Sequence, residues 1–327
     1  MLKPDADIIL AHIEDIKKQS WLTESQRWWP DHVFHFTDIL NAVKILNDGV
    51  MFSRLQLEKN KGLITDIASK TVIESTDLKW KDYVRLYFRP HTPTQFNNEG
   101  FRPEDQRRLA SHCPVPIFFI FDSKAILTNK TTCFSDGNLA AGAQTGETSH
   151  FFLSLPFEKI YHDHGLTEEE KRNIVFHRHA EVIIPKSLDL SSLKFIWCRS
   201  QAEFETLLYL LLPKTRQIWG KKIGVGNKSS LFYAYWSFIV KADLSTSTVS
   251  FTFNPSQTPG PYYAKLEIEE VATKVVYSWE KKDFYTKGTL SFDLSNMTHP
   301  KHYEVTFQLD GRLAYQNRFL VETELPF

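Results

Sequence analysis

The chain has 327 residues, 42 % apolar and 24 % charged, with 39 Lys+Arg balancing 39 Asp+Glu. Its 25 Phe, 12 Tyr and 8 Trp demand burial, which excludes disorder as the main state, and the length asks for two domains. From residue 221 onward 12 Lys/Arg stand against 11 Asp/Glu, so neither half has the basic excess of a protein that coats nucleic acid non-specifically. No apolar run reaches the ~18–20 residues of a membrane span, and the acidic N-terminus lacks the order of a signal peptide. Cys113, Cys133 and Cys198 are odd in number and show no CxxC spacing. That points to a reducing, cytoplasmic setting and away from structural zinc.

Residues 5–20 read as an amphipathic helix, with Ile8, Ile9, His12, Ile13 and Ile16 on one face. A Trp-rich joint (Trp21, Trp28, Trp29) leads to a strand at 33–36. Thr37 is the expected N-cap of the helix that follows, Asp38 suits its dipole, and Gly49 closes it. The lysine-rich 59–81 and the stretch 91–114 are expected to be long loops, which inside a compact domain are usually functional. Strands are expected at 82–88, 116–122, 179–185 and 195–200, a turn at 136–138, a helix at 166–172 capped by Thr167, and a helix at 202–212.

After Gly220 the texture changes. Short alternating segments at 247–253, 262–268, 274–279, 288–294, 303–309 and 317–323, with turns between them, predict a β-sandwich. Its expected core is Phe251, Phe253, Leu266, Ile268, Val276, Leu290, Phe292, Val305 and Phe307. The string GKKIGVGNKS at 220–229 is not a phosphate loop, because Asn227 precedes its lysine and Lys222 stands where a Gly is needed; an interdomain linker is expected. The histidines at 162, 164, 177 and 179 lack a third ligand at a convincing spacing, so no metal is expected.

Four short segments carry the functional signal: Phe34-His35-Phe36-Thr37; 82–93, which runs through Tyr87 into Phe88-Arg89-Pro90-His91-Thr92-Pro93; Phe134-Ser135-Asp136-Gly137-Asn138; and Arg178-His179-Ala180-Glu181 before an apolar strand. Each alone reads as a strand end or a turn. In this order, over residues 31–212, they resemble the DarT family of toxin ADP-ribosyltransferases, which use NAD to modify bases of single-stranded DNA and are paired with a macrodomain antitoxin.

The helix at 1–30 is read as an extension and the alternating strands as an all-β, immunoglobulin-like accessory sandwich at 230–327, both outside the resemblance, so an α+β chain is expected. The resemblance implies a mixed α/β ADP-ribosyltransferase-like catalytic domain at 31–215. It implies that His35 and Thr37 hold the nicotinamide-ribose side of NAD, that Tyr87 stacks on nicotinamide, and that Glu181 is catalytic. The family's arginine in the loop before the aromatic strand has no counterpart between Leu55 and Lys81, where Lys61, Lys70, Lys79 and Lys81 stand; Lys70 falls nearest and is the expected catalytic cation. Asn138 replaces a frequent His. Arg89, His91, Asn138 and Arg178 are expected at the substrate, in a groove with Arg85, Arg102, Arg107 and Arg108 that tracks a single strand. Transfer to RNA or protein, or a non-catalytic binding protein on the same fold, are the competing readings. The sandwich is expected to take a protein partner and to leave the active site alone.

Overall fold

The computed structural model describes residues 1–59, 77–108, 111–226 and 231–321. Its N-terminal part is built on strands β1 (His32–Asp38), β2 (Val50–Phe52), β3 (Tyr83–Tyr87), β4 (Pro116–Asp122), β5 (Cys133–Ser135), β6 (Thr145–Gly146), β7 (Glu181–Pro185), β8 (Ser187–Asp189), β9 (Leu193–Cys198) and β10 (Ile223–Val225). Eight of them form one sheet in the order β10-β9-β4-β1-β3-β7-β5-β6. The apolar run of β4 is explained by its place inside that sheet: every residue from Pro116 to Phe121 is buried. Neighbours pair antiparallel except β9 and β10, which run parallel with Ile223 opposite Ile196.

That parallel strand revises the expected linker. Part of 220–229 extends the sheet, and the helix Pro213–Trp219 precedes it. The helix Ala6–Lys17 buries Ile9, Ile13 and Ile16. It is fastened by Lys3, whose buried ammonium donates to the carbonyls of Thr132 (2.7 Å) and Glu147 (2.6 Å). Thr37 does not cap the next helix, Ile39–Asp48; it is the sixth residue of β1, and the Asp38 carboxylate accepts the Leu40 N–H at 3.0 Å. Both residue types cap well, so sequence alone does not rank the adjacent pair. Gly49 ends this helix at φ +70° as expected.

The stretch 91–114 is more ordered than a loop. Thr92 caps the helix Pro93–Asn98, with Pro93 in its first turn, and Glu99 and Phe101 bridge to Cys113 and Ser237. The helix expected at 166–172 extends over Glu168–His177, with Thr167 and Glu170 forming a capping box. His179 lies outside the strand, which starts at Glu181.

The C-terminal part is all β: β11 (Ile239–Leu244), β12 (Thr248–Phe253), β13 (Tyr262–Glu270), β14 (Val276–Phe284), β15 (Thr289–Asp293), β16 (His302–Leu309) and β17 (Arg312–Leu320). They form one sheet in the order β11-β12-β15 and another in the order β14-β13-β16-β17. Phe251 and Phe253 of the first meet Phe307 and Phe284 of the second at ring distances of 4.9 and 5.8 Å. Val276, expected inside, is 50 % exposed because β14 is an edge strand with most of its residues in solvent.

The two parts are joined by a buried polar seam. The helix Gln201–Leu210 packs against β11 and β17. Tyr315 donates to Glu205 (3.1 Å), Ser200 to the Ile239 carbonyl (2.6 Å), and Arg107 pairs with Asp310 (2.6 Å). At its centre the fully buried Glu99 carboxylate accepts the N–H groups of Tyr233 (3.0 Å) and Ala234 (2.8 Å) and the Gln95 amide (2.9 Å). Arg199 lies 3.6 Å from Glu99, donates to Glu203 through its backbone N–H (3.0 Å) and Nε (3.1 Å), and covers the Phe238 ring at 4.1 Å. Burial pushes the Glu203 carboxyl up to about 7 against the pull of Arg199.

Candidate active site

Strand register assembles the site. Phe34 of β1 faces Tyr87 of β3, and Tyr87 faces Glu181 of β7. Directly opposed residues share a face, and Arg85, two residues before Tyr87, shares it too. Its Nε lies 3.4 Å from Glu181 Oε2. Glu181 is 2 % exposed, and Oε2 has no hydrogen-bond partner among the described residues. Burial raises its carboxyl to about 7, with Arg85 opposing the shift. A carboxylate held near neutrality with one oxygen free of hydrogen bonds among the described residues is equipped to take up a proton or a hydroxyl.

Strand pairing thins beside this carboxylate. β1 shares seven register pairs with β4 and β3 shares five with β7, but β1 and β3 meet only at Phe34 and Tyr87. His35 bridges them there: its Nδ1 lies 3.0 Å from the Arg85 carbonyl. A carbonyl only accepts, so Nδ1 carries the proton and Nε2 offers a lone pair. Burial lowers the imidazole pKa and keeps the ring neutral. Thr37 is buried, and its hydroxyl accepts from Asn41 at 3.2 Å. Burial and the nearby Glu181 raise the Tyr87 hydroxyl, with Arg85 and Thr94 opposing the shift.

The turn after β5 locks the start of β7. The Glu181 N–H donates to Ser135 Oγ (2.8 Å), and Ser135 donates to the Gly137 carbonyl (2.9 Å). Gly137 must be glycine: a Cβ there would sit 2.3 Å from the Phe176 ring. His177 Nδ1 meets the Asp136 carbonyl at 2.5 Å, joining the Glu168–His177 helix to the same turn. Asn138 spends its Oδ1 on the Ala140 N–H (3.0 Å), so it shapes the turn and leaves only its amide NH₂ for a ligand.

Arg89, His91 and Arg178 form a second cluster. Arg89 is not aimed at a ligand. It is 1 % exposed and donates to the carbonyls of Pro90 (2.8 Å) and Ile160 (3.2 Å), to the His162 carbonyl and to Asp163. Its work is to hold the 160–163 turn. His91, at φ +58°, lies 3.4 Å from Asp163 and stacks on Tyr233 at 4.6 Å. Half-buried Arg178 reaches His162 Nδ1 (2.7 Å) and the His164 carbonyl (2.8 Å). Lys70 and Lys61 lie outside the described residues. Among the described residues no three His, Cys, Asp or Glu side chains gather as metal ligands.

Sequence reasoning placed Arg85 only in the groove and missed it as the partner of Glu181; its period-2 spacing from Tyr87 was the available signal. Nothing in the sequence pointed to Tyr233.

A profile of the family described as ssDNA thymidine ADP-ribosyltransferase, DarT, matches residues 34–222, which include β1, β3, β7 and the turn after β5. The chain belongs to the DarT family. It is thus an NAD-dependent ADP-ribosyltransferase, with NAD as co-substrate. Among solved structures, Thermus sp. 2.9 DarT in complex with ADP-ribosylated ssDNA is 17 % identical, with a TM-score of 0.49 over 62 % of this chain and 97 % of that one. The same DarT in complex with NAD+ gives 16 %, 0.47, 62 % and 98 %. Thermosipho africanus DarTG in complex with ADP-ribose gives 12 %, 0.46, 66 % and 53 %. No curated protein sequence matches the chain. All the expected site residues fall inside the DarT match, whereas Tyr233 and its neighbours follow it. No helix among the described residues is long and apolar enough to cross a membrane.

Proposed function

We propose that this DarT chain transfers ADP-ribose from NAD to thymidine in single-stranded DNA with Glu181 as its catalytic carboxylate. The buried Oε2 of Glu181, ion-paired with Arg85 but without a hydrogen-bond partner among the described residues, and its place beside the single-pair junction of β1 and β3 carry the reading. His35, Thr37 and Tyr87 line or flank that junction and hold the nicotinamide-ribose end. The C1″–nicotinamide bond breaks, positive charge builds on the sugar, and a new bond forms to the base. The one ring N–H of thymine in a nucleoside is N3–H, so N3 is the nucleophile and its proton passes to the Glu181 carboxylate. Arg85 holds that carboxylate in place and favours its charged form. Lys70 is the proposed cation of the segment before β3. Arg178 and the Asn138 amide sit where the strand enters, and Arg89 supports His91 from beneath.

The same reading divides the chain functionally into the extension 1–30, the catalytic 31–215 and an immunoglobulin-like sandwich at 230–327 with a protein partner. It also makes the enzyme a cytoplasmic toxin, of a toxin-antitoxin or phage-defence system, restrained by a macrodomain antitoxin. The face-to-face aromatic packing of the three- and four-stranded sheets supports the sandwich label.

Mass spectrometry of a thymidine-containing oligonucleotide incubated with the protein and NAD tests the proposal. One ADP-ribose added at thymidine is expected; NAD turnover with no nucleotide adduct would overturn it. In calorimetry, His35→Ala and Tyr87→Ala are each expected to weaken NAD binding by about 1–3 kcal/mol. Unchanged affinity in both would move the pocket away from the β1–β3 junction.

A further inference from the structure

We infer that residues 231–238, which follow the DarT match, complete a base-stacking track for nucleotides flanking the target thymidine. The inference rests on the single-stranded DNA reading above. Phe96 and Tyr235 are 43 % and 44 % exposed, although large rings at the surface cost solvation. They belong to a continuous set. Phe96 meets Tyr233 at 5.2 Å and Trp236 at 5.1 Å, and Tyr235 meets Tyr233 at 5.8 Å and Trp236 at 5.7 Å. Buried Arg102 lies 3.4 Å over the buried Trp236 ring and backs the exposed rings from within.

The set is held rigidly. Tyr233 and Ala234 give their N–H groups to buried Glu99, and the Tyr233 hydroxyl donates to the His91 carbonyl at 2.9 Å. Ala234 takes φ +55°, a left-handed conformation that a non-glycine residue adopts at a cost. Asn254 accepts the Phe238 N–H (2.8 Å) and donates to the Trp236 carbonyl (3.0 Å), and the Gln257 N–H donates to the Tyr235 carbonyl (2.9 Å). A buried carboxylate and a strained residue serve here to keep exposed rings in place.

The track leads into the active site. Tyr233 stacks on the His91 ring at 4.6 Å and donates to the His91 carbonyl, four residues beyond Tyr87 of β3. Tyr87 in turn faces Glu181. Rings beside arginines suit unpaired bases of any sequence, because every base has a π-face and each stacked base contributes about 1–3 kcal/mol. A local track of this kind also lets a chain with no net charge hold a nucleic acid.

The test uses the full chain and Phe96→Ala, Tyr235→Ala, the double variant and Tyr235→Trp. Fluorescence anisotropy measures binding of thymidine-containing oligonucleotides of about 4 and about 12 nucleotides, chosen to bracket a single-strand site. Mass spectrometry then measures their modification, and calorimetry the NAD affinity. Each alanine is expected to weaken the longer oligonucleotide about 5- to 100-fold while the shorter one and NAD bind as before, and Tyr235→Trp, which keeps a stacking ring, is expected to bind the longer one as the wild type does. Wild-type affinity of the double variant for the longer oligonucleotide would overturn the track and leave the thymidine reading standing. A wild-type protein that neither binds nor modifies either oligonucleotide would overturn that reading, and the track with it.

Discussion

Glu181→Gln is expected to lose transfer by about 10²–10⁴-fold, because a neutral amide cannot accept the thymine proton. The variant is also expected to be the more stable protein above neutral pH. Folded Glu181 keeps its proton up to about 7, whereas an unfolded glutamate releases it near 4.5. The folded state therefore gains most from this group at low pH and loses that gain as pH rises through the window from 4.5 to about 7. Glutamine never ionises and escapes the loss. Its advantage in chemical unfolding is expected to approach about 3 kcal/mol at pH 8 and to vanish near pH 4. Transfer by the wild type is expected to rise with pH through neutrality for the same reason. A variant with near-normal transfer, or one less stable than wild type at pH 8, contradicts the assignment of the carboxylate.

The second large effect is at Glu99, far from any motif. Glu99→Ala leaves two backbone N–H groups, the Gln95 amide and one side of Arg199 without their acceptor in a fully buried seam. Breaking such a set from one side costs about 3–5 kcal/mol. Thermal unfolding of the full chain reads the loss, and an unchanged melting temperature would show that the seam bears little of the stability. The same seam alters the expectation for a chain cut near Lys214. From sequence, that piece should still bind NAD and modify an oligonucleotide. In the structure it lacks the partners of Glu99 and of the Gln201–Leu210 helix, so unfolding is the expected outcome.

These cases show where sequence information is concentrated. The apolar run of β4 and the alternation of β12, β13 and β16 are one-dimensional signals, and they survive into the fold because each strand meets the same environment along its length. The ordered motifs around His35, Tyr87, Gly137 and Glu181 were legible because the chemistry restricts residue type at each point. Thr37 and Asp38 could not be ranked as caps, since adjacent residues of equal aptitude are separated only by where the backbone bends. Val276 alternates like a core residue yet lies on an edge strand, and pattern alone does not say what faces a strand. Glu99, Arg199 and Tyr233 left no trace, because a buried charge network is made of long-range partners with no fixed spacing.

The bond between Glu99 and Ala234 joins positions 135 residues apart. At ribosomal rates of roughly 5–20 residues per second, the acceptor is made on the order of 10 s before its donors. Through that interval the Glu99 carboxylate has water in place of the Tyr233 and Ala234 N–H groups, and the ring that bears on His91 has not been synthesised. If that ring and its neighbours hold the DNA strand, a nascent chain that already contains every residue of the DarT match is expected to lack part of its grip on DNA until the last third of the chain is made.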